Sequence, residues 1–146
     1  MYILDTDHLS VLERKGANAQ PLLQRMRAID PAQISTTIIS YEEQMRGWLS
    51  YIAKAQTEDK QVEAYKQLKN QLMNYCAIPV IEFDLNAVRE FNRLRKIYPR
   101  LGKMDLKIAA ITIVNRSILL TRNSLDFGQI AGLSIEDWTT PIANRY

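Results

Sequence analysis

ILDTDHLS, residues 3–10, sets two carboxylates and a threonine directly behind the first apolar run of the chain. Met1 to Leu4 is short and apolar and ends in acids, which reads as a buried strand feeding a turn. Three uses compete for these acids: they cap a helix, supply a nucleophile, or hold a metal ion. Thr6 or Asp7 is placed to cap a helix running through Glu13, with Gly16 as its stop. A strand passing at once into a capped helix opens a β–α alternation, and the rest of the chain continues it.

A second helix fits Ala19 to Ile29, with Leu22, Leu23, Met26 and Ile29 on one face and Pro31 beyond it. AQIST (32–36) is a short strand candidate. From Ile38 the pattern is helical through Glu42, Met45, Leu49 and Ile52 to Ala55. The polar TEDK (57–60) breaks it. Val62, Tyr65, Leu68, Leu72 and Tyr75 then keep helical spacing, so these two helices are expected to form an antiparallel hairpin. AIPVIEFD (77–84) reads as a strand, and Val88, Phe91, Leu94 and Ile97 mark a helix ended near Pro99 and Gly102. MDLKIAAITIVNR (104–116) is a nearly all-apolar helix with Asp105 in its first turn. SILLTRN (117–123) and LSIEDW (133–138) supply the last strands. Without repeats, linkers or low-complexity segments, residues 1–146 are expected to form one α/β domain, with a mostly parallel sheet between helical layers.

Composition narrows the function classes. The chain is 47% hydrophobic and 24% charged, as an ordinary globular protein is, and its 146 residues suffice to bury a core. Nineteen Lys and Arg against 16 acids give a net charge of +3, compatible with a nucleic-acid partner. One cysteine, Cys76, and one histidine, His8, exclude an internal disulfide and a zinc site. No window approaches the roughly 20 apolar residues of a membrane helix, and the early acids speak against a signal peptide, so cytoplasm is the expected location.

In sheets of this kind ligands gather beyond the carboxyl ends of the strands. Asp5 lies there after the first strand, and Asn123 and Asp126 after SILLT; Glu43 and Asp105 fall in the first turns of their helices. Each has a plain reading as well. Asp5, Thr6 and Asp7 serve as helix caps, Asp105 gains roughly 0.3–1 kcal/mol from the helix dipole, and one of Glu42 and Glu43 is a solvated helix acid. Together they are costlier, because carboxylates sharing a cleft repel unless a cation neutralises them. Oxygen ligands without Cys or His suit magnesium or manganese, and such an ion serves phosphodiester hydrolysis.

With these motifs in place, the sequence resembles the PIN-domain nucleases, and within them the VapC-type toxins of bacterial toxin–antitoxin pairs. LDTDHLS, ISTTIISYEEQMRG, GKMDLKIAA and LLTRNSLDFGQIAGLSIEDW carry the resemblance, in the family's order and over nearly the whole chain. It implies a PIN-like three-layer fold and an acid cluster that binds Mg2+, or Mn2+, and cuts RNA. The implied catalytic and metal-holding residues are Asp5, Glu43, Asp105 and Asp126, supported by Thr6 and Asn123. Gly47, four residues on, selects Glu43 over Glu42. Many PIN domains carry an acid where Asn123 stands, so Asp126 is taken as the fourth member and Asn123 as its hydrogen-bonding support. The family commonly has Asn where Asp7 stands, which assigns Asp7 to capping. An RNA substrate, a cognate antitoxin and a homodimer are the implied partners. Lys103, Lys107, Arg116 and Arg122 are the candidate basic surface for RNA. The region of Trp48, Tyr51, Tyr65 and Leu72 is the candidate surface for an antitoxin segment or a second subunit, or is plain core.

Two rival readings stand. A haloacid dehalogenase-like phosphatase would use Asp5 as nucleophile and Asp7 as acid/base, but it needs an adjacent acid pair that LLTRNSLD lacks. A non-catalytic PIN-like module would only bind RNA or protein, against which the four oxygen-bearing positions argue. His8 is read as structural rather than as a general base.

Overall fold

The computed structural model describes residues 1–141. The central strand β1 (Tyr2–Leu4) pairs with β2 (Ile34–Thr37) on one side and β4 (Ile118–Leu120) on the other. β3 (Val80–Ile81) extends the sheet beyond β2, and β5 (Ser134–Glu136) beyond β4, giving the order β3-β2-β1-β4-β5 with every pairing parallel. All carboxyl ends therefore share one edge.

Successive side chains of a strand point to opposite faces, and the two cores arise from that alternation. Ile3 and Leu119 belong to a core shared with α5 (Leu85–Ile97) and α6 (Lys103–Val114). Leu4 and Leu120 belong to a second core shared with α1 (Thr6–Arg14) and α2 (Ala19–Arg27). The result is the three-layer arrangement the alternation predicts. α6 is buried over Leu106 and Ile108 to Thr112, and a helix apolar nearly all round has to be interior. Its Thr112 hydroxyl donates to the Ile108 carbonyl at 2.8 Å, so its polarity is met within the helix.

α3 (Ile38–Lys54) and α4 (Glu58–Cys76) form the expected hairpin, their first turns capped by the Thr37 and Thr57 side chains. The face of α4 differs from expectation. Ala64, Gln71 and Tyr75 point inward, whereas Val62, Tyr65 and Leu72 are exposed at 70%, 60% and 55%. Helical spacing marks a stripe but does not say which way it faces. Among the described residues no helix is long and apolar enough to cross a membrane.

Other boundaries also shift. Asp5, rather than Thr6 or Asp7, is the cap residue of α1. That helix ends with Lys15 in the left-handed region at φ 52, one residue before the glycine expected to stop it. Residues Pro31–Gln33 form a 3-10 turn before β2. AIPVIEFD yields only the two residues of β3, because Pro79 lacks a ladder donor and Asp84 already caps α5. A one-turn helix, α7 (Ser124–Phe127), comes after β4 and inserts Phe127 into the α5–α6 core.

Two glycines should respond oppositely to alanine. A Cβ on Gly128, which closes α7, would fall 2.4 Å from the Ser124 carbonyl oxygen, so Gly128→Ala is expected to cost about 1–3 kcal/mol in urea unfolding. Gly47 lies mid-helix in α3 with nothing within 4 Å of such an atom, so Gly47→Ala should gain up to about 1 kcal/mol. Equal midpoints for the two variants would contradict this packing.

Candidate active site at the carboxyl edge of the sheet

Asp5 is the first residue beyond β1, and its N–H still donates to Leu120 O at 2.9 Å, so the ladder holds it in place. Its side chain is only 6% exposed. Oδ1 accepts from the Thr6 N–H at 2.8 Å and Oδ2 from the Thr121 hydroxyl at 2.8 Å. Thr121 holds the equivalent position after β4, and its Oγ1 accepts from the Asn123 N–H at 3.0 Å. Burial, then the nearby Asp7 carboxylate, push Asp5 up to about 7 from the ordinary 3.8; the Thr121 and Thr6 bonds pull against this, and Asp105 adds a smaller upward push.

Thr6 joins a second acid to the first. Its hydroxyl donates to Glu43 Oε1 at 3.2 Å, reaching from α1 to α3. Glu42 instead pairs with Arg46 on the outer side of α3. The two neighbours thus have different partners. Burial raises Glu43, and Asp105 and Glu42 add to the rise against the Thr6 bond.

Asp105, half-buried in the first turn of α6, is raised by burial and then by Asp126 and Asp7. Asp126 stands in α7, where Asn123 braces it twice. Asn123 Nδ2 donates to Asp126 Oδ2 at 3.2 Å, and Asn123 Oδ1 accepts from the Asp126 N–H at 3.3 Å. Asp105 is therefore the common neighbour, repelled by Asp126 and itself repelling Asp5 and Glu43. Among the described residues no Lys, Arg or His nitrogen lies within 4.0 Å of Asp5, Glu43, Asp105 or Asp126.

The donor chemistry fits a hard dication. The set is all oxygen and short of positive charge, as magnesium or manganese sites require. Among the described residues no three acids, histidines or cysteines already close around one point as ligands would. Carboxylates that repel one another stay apart, and magnesium usually takes only one or two carboxylates directly, waters filling the rest of its shell.

Asp7 does not cap α1. Its Oδ1 accepts from His8 Nδ1 at 2.8 Å and its Oδ2 from the Arg122 N–H at 2.9 Å, which ties α1 to the turn after β4. His8 is fully buried, and its Nε2 accepts from the Trp138 N–H at 3.2 Å. That assigns the ring proton to Nδ1 and makes His8 a structural bridge. An Asp7 anchored at both oxygens also lacks the freedom the phosphatase reading demands.

Lys107 is likewise displaced from its expected part. It lies about 200° round the helix from Asp105, its ammonium over Phe83 and Phe91 at 5.8 and 5.6 Å. Lys103 is exposed at the head of α6. Arg116 sits beyond the far end of that helix, roughly 16 Å from Asp105 at ~1.5 Å per residue. Sequence reasoning missed Thr121. Its place opposite Asp5 comes from the register Leu4↔Leu120, which no local pattern announces.

No protein-family profile matches the chain, and no curated protein matches it. Solved structures do. VapBC2 from Rickettsia felis, bound to a promoter DNA fragment, matches at TM-score 0.71 and 20% identity, over 94% of this chain and 98% of that one. A toxin–antitoxin complex from Klebsiella pneumoniae matches at 0.69 and 24%, over 97% and 100%. FitAcB from Neisseria gonorrhoeae matches at 0.73 and 18%, over 94% and 98%. The chain shares the three-layer fold of these proteins across nearly its full length.

The metal-free protein should carry the signature of the crowded acids. Asp5 titrates higher in the fold than unfolded, so its contribution is fully present below the ordinary 3.8 and is lost as pH rises through about 7. Asp5→Asn keeps a capping oxygen, and the Thr121 hydroxyl can turn toward Asp7. The variant should therefore gain on the parent between pH 4 and 8 in chelator and exceed it above pH 7. Parallel urea midpoints across that range would show that Asp5 is not strained by charge.

Asp7→Asn should behave otherwise. One amide oxygen cannot accept both the His8 and the Arg122 donors, so the variant is expected to lose about 1–3 kcal/mol. A variant as stable as the parent would mean these two bonds do not form together.

Proposed function

We propose that this chain is a metal-dependent endoribonuclease, the toxin member of a toxin–antitoxin pair. The observation that carries the reading is the crowding of Asp5, Glu43, Asp105 and Asp126 at one sheet edge, with no compensating cation among the described residues. Its setting is a fold shared with solved toxin–antitoxin proteins. In this reading these acids would hold magnesium or manganese.

A dication held there would supply an activated water and offset charge on the phosphoryl oxygens. The residues of the chain fix the geometry. Thr6 and Thr121 lock both oxygens of Asp5, so that carboxylate is presented in one orientation. The Thr6 hydroxyl aims Glu43 toward the same edge, and Asn123 does the same for Asp126. Lys103 offers a positive charge for the RNA backbone at the mouth of the site. Neither Glu42 nor Lys107 takes part, since both are committed elsewhere. A cognate antitoxin and a second copy of the chain complete the reading as partners.

Cleavage of a labelled RNA tests it. Magnesium or manganese should support cutting and chelator should abolish it. Asp105→Asn and Glu43→Gln should each lose more than about a hundredfold, since even outer-shell partners of a metal are worth ~10–100-fold. Glu42→Gln should cut as the parent does. Undiminished cleavage in chelator, or a Glu43→Gln protein as active as Glu42→Gln, overturns the assignment.

A further inference from the structure

Asp7 is a fifth carboxylate beside a cluster already overloaded with negative charge, and it pushes both Asp5 and Asp105 upward. A neutral side chain would relieve that repulsion, so the charge at this position calls for an explanation. His8 supplies half of it. The ring is fully buried, and the Trp138 N–H donates to its Nε2 at 3.2 Å. With that nitrogen taken as an acceptor, the proton sits on Nδ1 and is donated to Asp7 Oδ1 at 2.8 Å. Asp137 Oδ1, 3.7 Å from Nε2, is too distant to draw the proton there, and accepts from the Thr139 N–H at 2.8 Å instead.

The turn after β4 supplies the other half. Asp7 Oδ2 accepts from the Arg122 N–H at 2.9 Å and lies 3.3 Å from the Thr121 hydroxyl, which donates to Asp5 at 2.8 Å. The same turn carries Asn123, whose N–H donates to Thr121 Oγ1 at 3.0 Å and whose side chain braces Asp126. Two fixed donors need two acceptor atoms, which a carboxylate has and an amide lacks. The donors also differ in burial, since His8 is cut off from water while Arg122 is exposed. An amide at position 7 would give its one oxygen to the buried ring and abandon the turn, because an unmet buried donor is the costlier loss.

We propose that Asp7 is a positioning residue of the acid site: His8 fixes one of its oxygens, and the other holds residues 121–123 so that Thr121 and Asn123 set Asp5 and Asp126 for a dication. The inference rests on the metal-site reading above. Asp7 acts through the turn and is not itself a ligand.

The probe is manganese, its binding to the pure protein read from the free-ion electron paramagnetic resonance signal. Hydrogen exchange of the Arg122 amide, followed by NMR in the metal-free protein, reports the clamp. Asp7→Asn should speed that exchange and weaken manganese about tenfold or more, the scale for outer partners of a metal site. Adding His8→Leu removes the competing donor and frees the amide oxygen for Arg122. The double variant should therefore recover both the protection of Arg122 and most of the lost affinity, although its charge at position 7 is that of the single variant and its Trp138 N–H has lost an acceptor. Neither lost charge nor general loosening predicts such a recovery. A single variant that unfolds while the double folds and binds shows the same rescue. Asp7→Asn with the parent's affinity or the parent's Arg122 exchange overturns the proposal, as does a double variant that binds as weakly as the single or does not fold. A parent that binds no manganese overturns the metal-site reading first, and this inference with it.

Discussion

Negative charge with no cation beside it among the described residues is the constraint around which the carboxyl edge of this sheet is arranged. Four carboxylates, from the turn after β1 and from α3, α6 and α7, repel through Asp105, and burial raises Asp5, Glu43 and Asp105 further. Such a cluster cannot be stabilised by its own contacts. It is held by the two cores on either side of the sheet, which fix the ends of the elements that carry it. The groups in direct contact with the acids are neutral: two threonines and an asparagine orient them without cancelling their charge. That leaves the deficit of positive charge available to an ion.

The same edge shows why a residue type does not define a role. Asp5 and Asp7 are two positions apart and both acidic, yet one faces the cluster and the other anchors α1 to the turn after β4. Asp7, His8 and the Trp138 backbone form a chain of hydrogen bonds from the edge into the α1–α2 core. A buried histidine that accepts at one nitrogen and donates at the other is fully employed, leaving no free nitrogen for acid–base work. The basic residues divide in the same way: Lys103 is free in solvent while Lys107 is spent on two aromatic rings.

A second departure from economical packing lies on the α1–α4 side of the molecule. α4 turns Gln71 inward and leaves Val62, Tyr65 and Leu72 in solvent, the reverse of the usual arrangement for a surface helix. Both halves of the inversion cost stability in the free chain.

Glu43, expected in the first turn of α3, falls in its second, because that helix starts at Ile38. The sequence by itself determined the alternation of strands and helices, the single α/β layering, and the placing of Asp5 and Asp126 beyond strand ends and of Asp105 in a first helical turn. These come from local patterning, because hydrophobic period and turn chemistry act over a few residues. Local pattern offered Glu42 and Glu43 alike; the resemblance favoured Glu43, and the fold sets that one beside Thr6. Tertiary structure alone decided the rest. Thr121 meets Asp5 across 116 residues of chain only because β1 and β4 pair in one register. Asp5 displaced Thr6 and Asp7 as the cap, because the ladder bond from its N–H to Leu120 carries the strand to that residue before the helix begins. The outward-facing Val62, Tyr65 and Leu72 of α4 and the burial of His8 have the same origin. A periodic pattern specifies a face, but what that face meets depends on which distant elements pack beside it.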